Sequence, residues 1–271
     1  MREKTIKKSI SIEGIGLHTG KIGKITLFPS PQGTGIIFRD VFTNRDVVAS
    51  LDNVVGTRRG IILGNNGTRV RTPEHLLAAL YVKGITNVLI EYENEIPILD
   101  GSAKLFVELI EKAGILEQNV EREAYKVKGP IFLREKDKLL VALPSKQLRI
   151  RYLIDYPGTY IESEYYDFLF SEDKFERDIS MAKTFGFYDE IEALRDAGLS
   201  LGGSLNNAIV VDKNRILGTL STEREFVKHK IIDFLGDISL TNKFLIGDFV
   251  LIKTGHKMHI EMAKKLKEMG G

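Results

Sequence analysis

Lys228-His229-Lys230-Ile231-Ile232-Asp233-Phe234-Leu235-Gly236-Asp237 places His229, Asp233 and Asp237 four residues apart. On a helix these three lie along one face, each one turn above the last. Spacing alone also suits an incidental polar pair on a solvated helix. The neighbours argue otherwise: Ile231, Ile232, Phe234 and Leu235 fill the remaining directions and make the helix largely buried. Buried charge must be paired or must coordinate a metal, and Asp237, further along the stripe, is suited to orient an imidazole from behind.

A helix of this kind needs layers around it, and the rest of the chain supplies them. The stretch 223–235 is followed by a strand at 244–252 and a helix at 257–268. Before it come strands at 124–133, 138–143, 148–156 and 160–170. The first half runs in the same order. Strands at 7–12, 22–28, 35–39 and 54–63 are rich in β-branched residues and separated by Gly, Pro and Asn. A helix at 73–83, with Thr72 as cap and Pro73 at its first position, leads to a strand at 87–93. A helix at 103–113 then follows the turn Asp100-Gly101-Ser102. The repeated order predicts a duplicated α+β unit, each half a sheet covered on one face by two helices. The polar stretch 116–123 is the natural junction, dividing the chain into units 1–118 and 123–271. Between Thr184 and Leu217 the second half carries an insert: a helix at 187–197, the turn Gly202-Gly203-Ser204 and a short strand at 208–211. Phe187, Ile191 and Leu194 recur at helical spacing and predict one apolar face, with Val210 able to complete a channel beside it.

Three further histidines stand in suggestive settings. His75, in Thr72-Pro73-Glu74-His75-Leu76, falls in the first turn of a helix, whose positive end disfavours imidazolium and keeps the ring neutral, as a metal ligand must be. Glu74 beside it is placed either to complement the helix dipole or to take a proton from water, although no His-Glu-x-x-His motif is present. His256 follows a strand and Gly255 and opens the last helix. His18 lies in the glycine-flanked turn Gly14-Ile15-Gly16-Leu17-His18-Thr19-Gly20. The fifth histidine, His259, has no informative neighbours and is expected at the surface.

Composition bounds the chemistry. There is no cysteine, so any metal must be held by His and carboxylate, and a reducing cytoplasm is the expected compartment. The 39 basic and 37 acidic residues nearly cancel, which argues against a general nucleic-acid binder. No apolar run approaches the roughly 20 residues of a membrane-spanning helix, and Met1-Arg2-Glu3-Lys4-Thr5-Ile6 lacks the apolar run expected of a signal peptide.

These segments together resemble the UDP-3-O-acyl-N-acetylglucosamine deacetylases, zinc enzymes of the committed step of lipid A synthesis. The resemblance runs through residues 13–20, 72–80, 95–103, Ala182-Lys183-Thr184-Phe185-Gly186-Phe187, 201–204, 226–237 and Gly255-His256, in that order. It implies an α+β fold of two similar domains, each a mainly antiparallel sheet with two helices, the helix layers packed between the sheets. It further implies His75, His229 and Asp233 as ligands of Zn²⁺, with Fe²⁺ the alternative metal. Glu74 matches the general base and His256 the general acid, with Asp237 as its charge partner. Thr184 matches the hydroxyl at the reacting carbonyl. Lys230, Phe185 and His18 match positions around the substrate headgroup. The insert, with Phe187, Ile191, Leu194, Gly203, Ser204 and Val210, matches a hydrophobic passage for the acyl chain. The expected partner is thus a UDP-linked acylated glucosamine, handled by a cytoplasmic monomer. Two other readings are a zinc amidohydrolase or peptidase acting on soluble substrates, which has no need of an apolar insert, and a binding protein with a degenerate site.

Overall fold

The computed structural model describes residues 1–65 and 67–270. Alternation of the side chains builds its two principal sheets. In Ile22–Pro29, Gly23, Ile25 and Leu27 turn inward, and in Arg149–Tyr156, Ile150, Tyr152 and Ile154 do so. The first sheet has the spatial order Ile10–Ile15, Ile22–Pro29, Val88–Tyr92, Ile36–Asp40, Arg45–Val48. The second has the order Ile131–Glu135, Lys138–Leu143, Asp248–Ile252, Arg149–Tyr156, Glu162–Leu169. In each sheet the third and fourth strands pair in parallel, and the other neighbours pair antiparallel. The second half therefore repeats the strand order of the first, and the fold is α+β with two similar, mainly antiparallel sheets.

Among the described residues six α-helices accompany the sheets: α1 (Glu74–Lys83), α2 (Lys104–Ala113), α3 (Glu172–Lys174), α4 (Ile191–Asp196), α5 (Glu225–Ser239) and α6 (His256–Gly270). α2 packs on Ile10–Ile15 and on α1, α1 on α5, α5 on α6 and Arg149–Tyr156, and α6 on Lys138–Leu143. α1, α2, α5 and α6 thus form the layers between the two sheets. All ten residues of α1 are buried, as are fourteen of the fifteen in α5. Full burial of side chains such as Leu76, Leu77 and Phe234 contributes about 1.5–3 kcal/mol each.

Gly236 sets the spacing of α1 and α5. A Cβ built on it would lie 2.2 Å from the carbonyl oxygen of Glu74, backbone that cannot swing aside. A Gly236→Ala protein is therefore expected to lose about 3 kcal/mol of stability, read as a lowered urea midpoint, together with affinity for metal. An unchanged midpoint would mean that the helices can separate without strain.

Lys83, at the end of α1, is buried between Glu111 of α2 at 2.9 Å, Glu172 of α3, and Glu176 at 2.8 Å. A buried ammonium needs such partners, and these tie α1 and α2 to a segment from the second half.

Several expectations are corrected. Residues Ile115–Glu121, overlapping the stretch 116–123 expected as a polar junction, form a strand paired antiparallel with Arg2–Ile6. Residues 54–63 are two strands, Val54–Gly56 and Ile62–Asn65, in a small sheet with Thr68–Arg71. The stretch 244–252 divides at Gly247, where a side chain would collide with Val127; its first part pairs with Ala124–Lys126 and its second belongs to the large sheet. Thr72 does not cap α1. It adopts φ +52°, Pro73 occupies the N-cap, and the Thr72 hydroxyl donates to Glu95 instead. In the insert, Phe187 ends the strand Phe185–Phe187 and α4 begins only at Ile191. Its apolar lining consequently comes from a strand and a helix rather than from one helix face.

Candidate metal centre and adjoining cavities

α5 carries His229, Asp233 and Asp237 on its buried face, and α1 brings Glu74 and His75 against them from the other half of the chain. The His75 and His229 rings lie 4.9 Å apart, nearly perpendicular. Asp233 Oδ1 is 3.4 Å from His229 Nε2 and 3.8 Å from His75 Nε2. These separations exceed a hydrogen bond and approach the roughly 3.3 Å between two ligands on a tetrahedral ion with bonds of about 2.0 Å. The donor chemistry agrees. The backbone carbonyl of Ala182 lies 3.1 Å from His229 Nδ1, so Nδ1 donates and the Nε2 lone pair faces the gap. Burial pushes the His229 pKa down to about 3, outweighing the Asp233 charge, and keeps the ring neutral. Burial opposes ionisation of Asp233 as well, but Lys230 and the neighbouring imidazoles hold it well below the usual carboxylate range. Two imidazole lone pairs and a carboxylate therefore converge, and the three residues fit a metal ion.

Glu74, Thr184, Lys230 and His256 line the same cavity of about 410 Å³. Glu74 is 5% exposed, and one carboxylate oxygen accepts the backbone N–H of Ile61. Burial raises its pKa, more than His256 and His75 lower it, which makes it a better proton acceptor than an exposed glutamate. His256 opens α6 and donates from Nδ1 to Asp237, 2.8 Å from Oδ2. Burial works against its charge, yet Asp237 and Asp233 push its pKa up to about 9. Lys230 Nζ donates to the second Asp233 oxygen at 2.6 Å and stands 5.9 Å from the centre of the Phe185 ring. Phe185 packs edge-on against Phe226 and His229.

The second cavity, about 730 Å³, is lined by all six insert residues expected there: Phe187, Ile191, Leu194, Gly203, Ser204 and Val210. It shares Leu17, Arg59, Thr184, Phe185 and Phe187 with the first, so the two adjoin. His18 lines this second space rather than the metal cavity. Its ring is held on both sides, Nδ1 accepting the Ser200 N–H at 3.3 Å and Nε2 donating to the Arg59 carbonyl at 3.2 Å.

Two buried residues escaped the sequence reading. Glu95, fully buried, accepts the backbone N–H groups of His18 and Thr19 and the hydroxyls of Thr19 and Thr72, and so holds the His18 turn against the start of α1. A lone carboxylate before Ile96-Pro97-Ile98 was the available signal. His259, expected at the surface, is fully buried and bonded to Asp237 at 2.7 Å. Its period with Met262, Ala263 and Leu266 marks the inward face of α6 and would have placed it there.

A family model described as LpxC, UDP-3-O-acyl N-acetylglycosamine deacetylase, matches residues 3–268. A UDP-3-O-acyl-N-acetylglucosamine deacetylase of Thermodesulfovibrio yellowstonii is 42% identical over 99% of this chain and 92% of its own. The proteins of that name from Saccharophagus degradans and Wolinella succinogenes are 42% and 39% identical, over 96% and 98% of this chain and 88% and 90% of theirs. With one model spanning nearly its whole length and relatives covered almost end to end, the chain belongs to the UDP-3-O-acyl-N-acetylglucosamine deacetylase family.

Proposed function

We propose that this chain is a zinc-dependent amidohydrolase that removes the N-acetyl group of a UDP-3-O-(3-hydroxyacyl)-N-acetylglucosamine, releasing acetate for lipid A and hence lipopolysaccharide synthesis. The observation that carries this reading is the convergence of His75, His229 and Asp233 beside a buried glutamate and an ion-paired histidine, at the inner end of an apolar passage. His75, His229 and Asp233 would hold the metal, Zn²⁺ or Fe²⁺, which when bound supplies Lewis acidity toward water and a carbonyl oxygen. Glu74 takes a proton from the attacking water as its oxygen adds to the acetyl carbon. The Thr184 hydroxyl and the His256 imidazolium stabilise the resulting oxyanion. His256 then gives its Nε2 proton to the departing amine as the C–N bond breaks, while Asp237 holds the ring by Nδ1. Lys230 and Phe185 meet the headgroup side, and His18 braces the turn between the passage and the cavity. The enzyme is read as a cytoplasmic monomer with units 1–118 and 123–271, in keeping with a site completed by residues of a single chain.

Acetate release from the acylated UDP sugar tests the activity, and Gly203→Leu tests the passage. A Cβ at Gly203 meets the Ser200 carbonyl at 3.2 Å, tight but not blocked, so the added side chain extends into the apolar space. Burying a methylene contributes about 0.8 kcal/mol, so displacing two or three from the passage lowers kcat/KM by about tenfold to fiftyfold. An analogue without the acyl chain should be hydrolysed equally by both proteins. Absence of acetate from the metal-loaded enzyme would overturn the activity; equal loss on both substrates would overturn the passage alone.

A further inference from the structure

We propose that His259 is a positioning residue for the deacetylation, fixing the Asp237 carboxylate so that His256 is held in one orientation toward the substrate. The inference rests on the reading of His256 as the proton donor. Asp237 is fully buried, and its Oδ2 accepts two hydrogen bonds, from His256 Nδ1 at 2.8 Å and from His259 Nδ1 at 2.7 Å. A carboxylate held by His256 alone is able to rotate about its Cβ–Cγ bond. The second donor, arriving from the same helix one turn on, removes that freedom.

His259 is itself oriented. Its Nε2 lies 3.1 Å from the Thr254 hydroxyl and 3.2 Å from the Tyr152 hydroxyl. The Tyr152 hydroxyl donates to the Thr254 carbonyl at 2.9 Å, so its hydrogen is committed. The Thr254 hydroxyl has two acceptors in reach, the Tyr152 oxygen at 3.0 Å and His259 Nε2 at 3.1 Å, and the Asp237 carboxylate 2.7 Å from Nδ1 places the His259 proton on Nδ1. Burial lowers the His259 pKa, outweighing Asp237, which agrees with a neutral ring. Phe234 and Tyr152 meet the ring nearly perpendicularly, at 5.1 and 6.1 Å between centres. A line of bonds therefore runs from Tyr152, on the fourth strand of the second sheet, through Thr254 and His259 to Asp237 and His256. Asp237, His256 and His259 would also pass as a metal-binding trio by composition. The 2.7 and 2.8 Å contacts instead have a proton between the atoms, and an ion would have to push them apart.

The test compares His259→Leu, His259→Asn, Thr254→Val and His256→Gln in the metal-loaded enzyme, measuring kcat and KM on the acylated UDP sugar, metal content and melting. His259→Leu should lower kcat by about 10–100-fold, as removal of an outer hydrogen-bond partner commonly does, with KM and metal content unchanged. His259→Asn, whose side-chain N–H occupies the place of Nδ1–H, should restore most of the loss. Should His259→Leu melt before assay, Thr254→Val is read in its place, with a smaller fall in kcat at unchanged KM. Full kcat in His259→Leu, an Asn variant as slow as the Leu variant, or, if Thr254→Val is the variant read, unchanged kcat there, would overturn the proposal. Undiminished kcat in His256→Gln would instead remove the proton donor on which it rests.

Discussion

Dialysed His75→Ala and His229→Ala proteins are expected to contain far less than one metal ion per chain, and to lose activity in step. Three donors converge in the cavity, and two cannot hold the ion against water. Asp233→Ala should lose the metal too, but with an added penalty that separates it from the histidine variants. Asp233 also accepts the Lys230 ammonium at 2.6 Å, and Asp233 is buried while Lys230 is partly exposed. Removing one partner of a fully buried pair costs about 3–5 kcal/mol, and with the Lys230 ammonium left partly solvated the penalty is smaller, so Asp233→Ala should unfold at somewhat lower urea than His229→Ala. Elemental analysis and urea melts of the three proteins decide the matter. Full metal occupancy in any one of them would take that residue out of the ligand set.

Glu74→Gln has the opposite signature: metal retained, fold retained, activity gone. The substitution nearly preserves shape, and the amide oxygen still accepts the Ile61 N–H that positions the side chain. Only the ability to take a proton is lost. General acid–base groups contribute about 10²–10⁴-fold, and kcat should fall on that scale in protein of unchanged metal content. A metal-replete Glu74→Gln enzyme with normal kcat would show that another group receives the proton.

The parts of the fold that were legible in the sequence are those whose side chains face a core. Lys138–Leu143 and the cores of Arg149–Tyr156 and α5 follow from apolar periodicity. Arg2–Ile6, Arg45–Val48 and Ile115–Glu121 bury at most two side chains each, carry charged residues, and are held by backbone pairing that leaves no periodic trace. The candidate site divides in the same way. His229, Asp233 and Asp237 stand four apart on one helix and are visible as a local pattern. The helix-to-helix approach at Gly236 that brings Glu74 to them is a contact between distant segments, as are the four donors gathered by Glu95. His259 was missed for a different reason: one polar residue on an apolar helix face looks like noise until its partner is known.

The burial of α1 on every side also bears on how the chain is made. Its ten residues leave the ribosome long before α5, which lies some 150 positions further on and forms its widest packing surface. At about 5–20 residues per second, that interval lasts roughly ten to thirty seconds. Throughout it the half-made protein carries a helix with no polar face, and for the first part of it Lys83 lacks Glu172 and Glu176. The nascent chain, not the finished enzyme, is thus the sticky species, and chaperone demand should be concentrated in the window before residue 239 emerges.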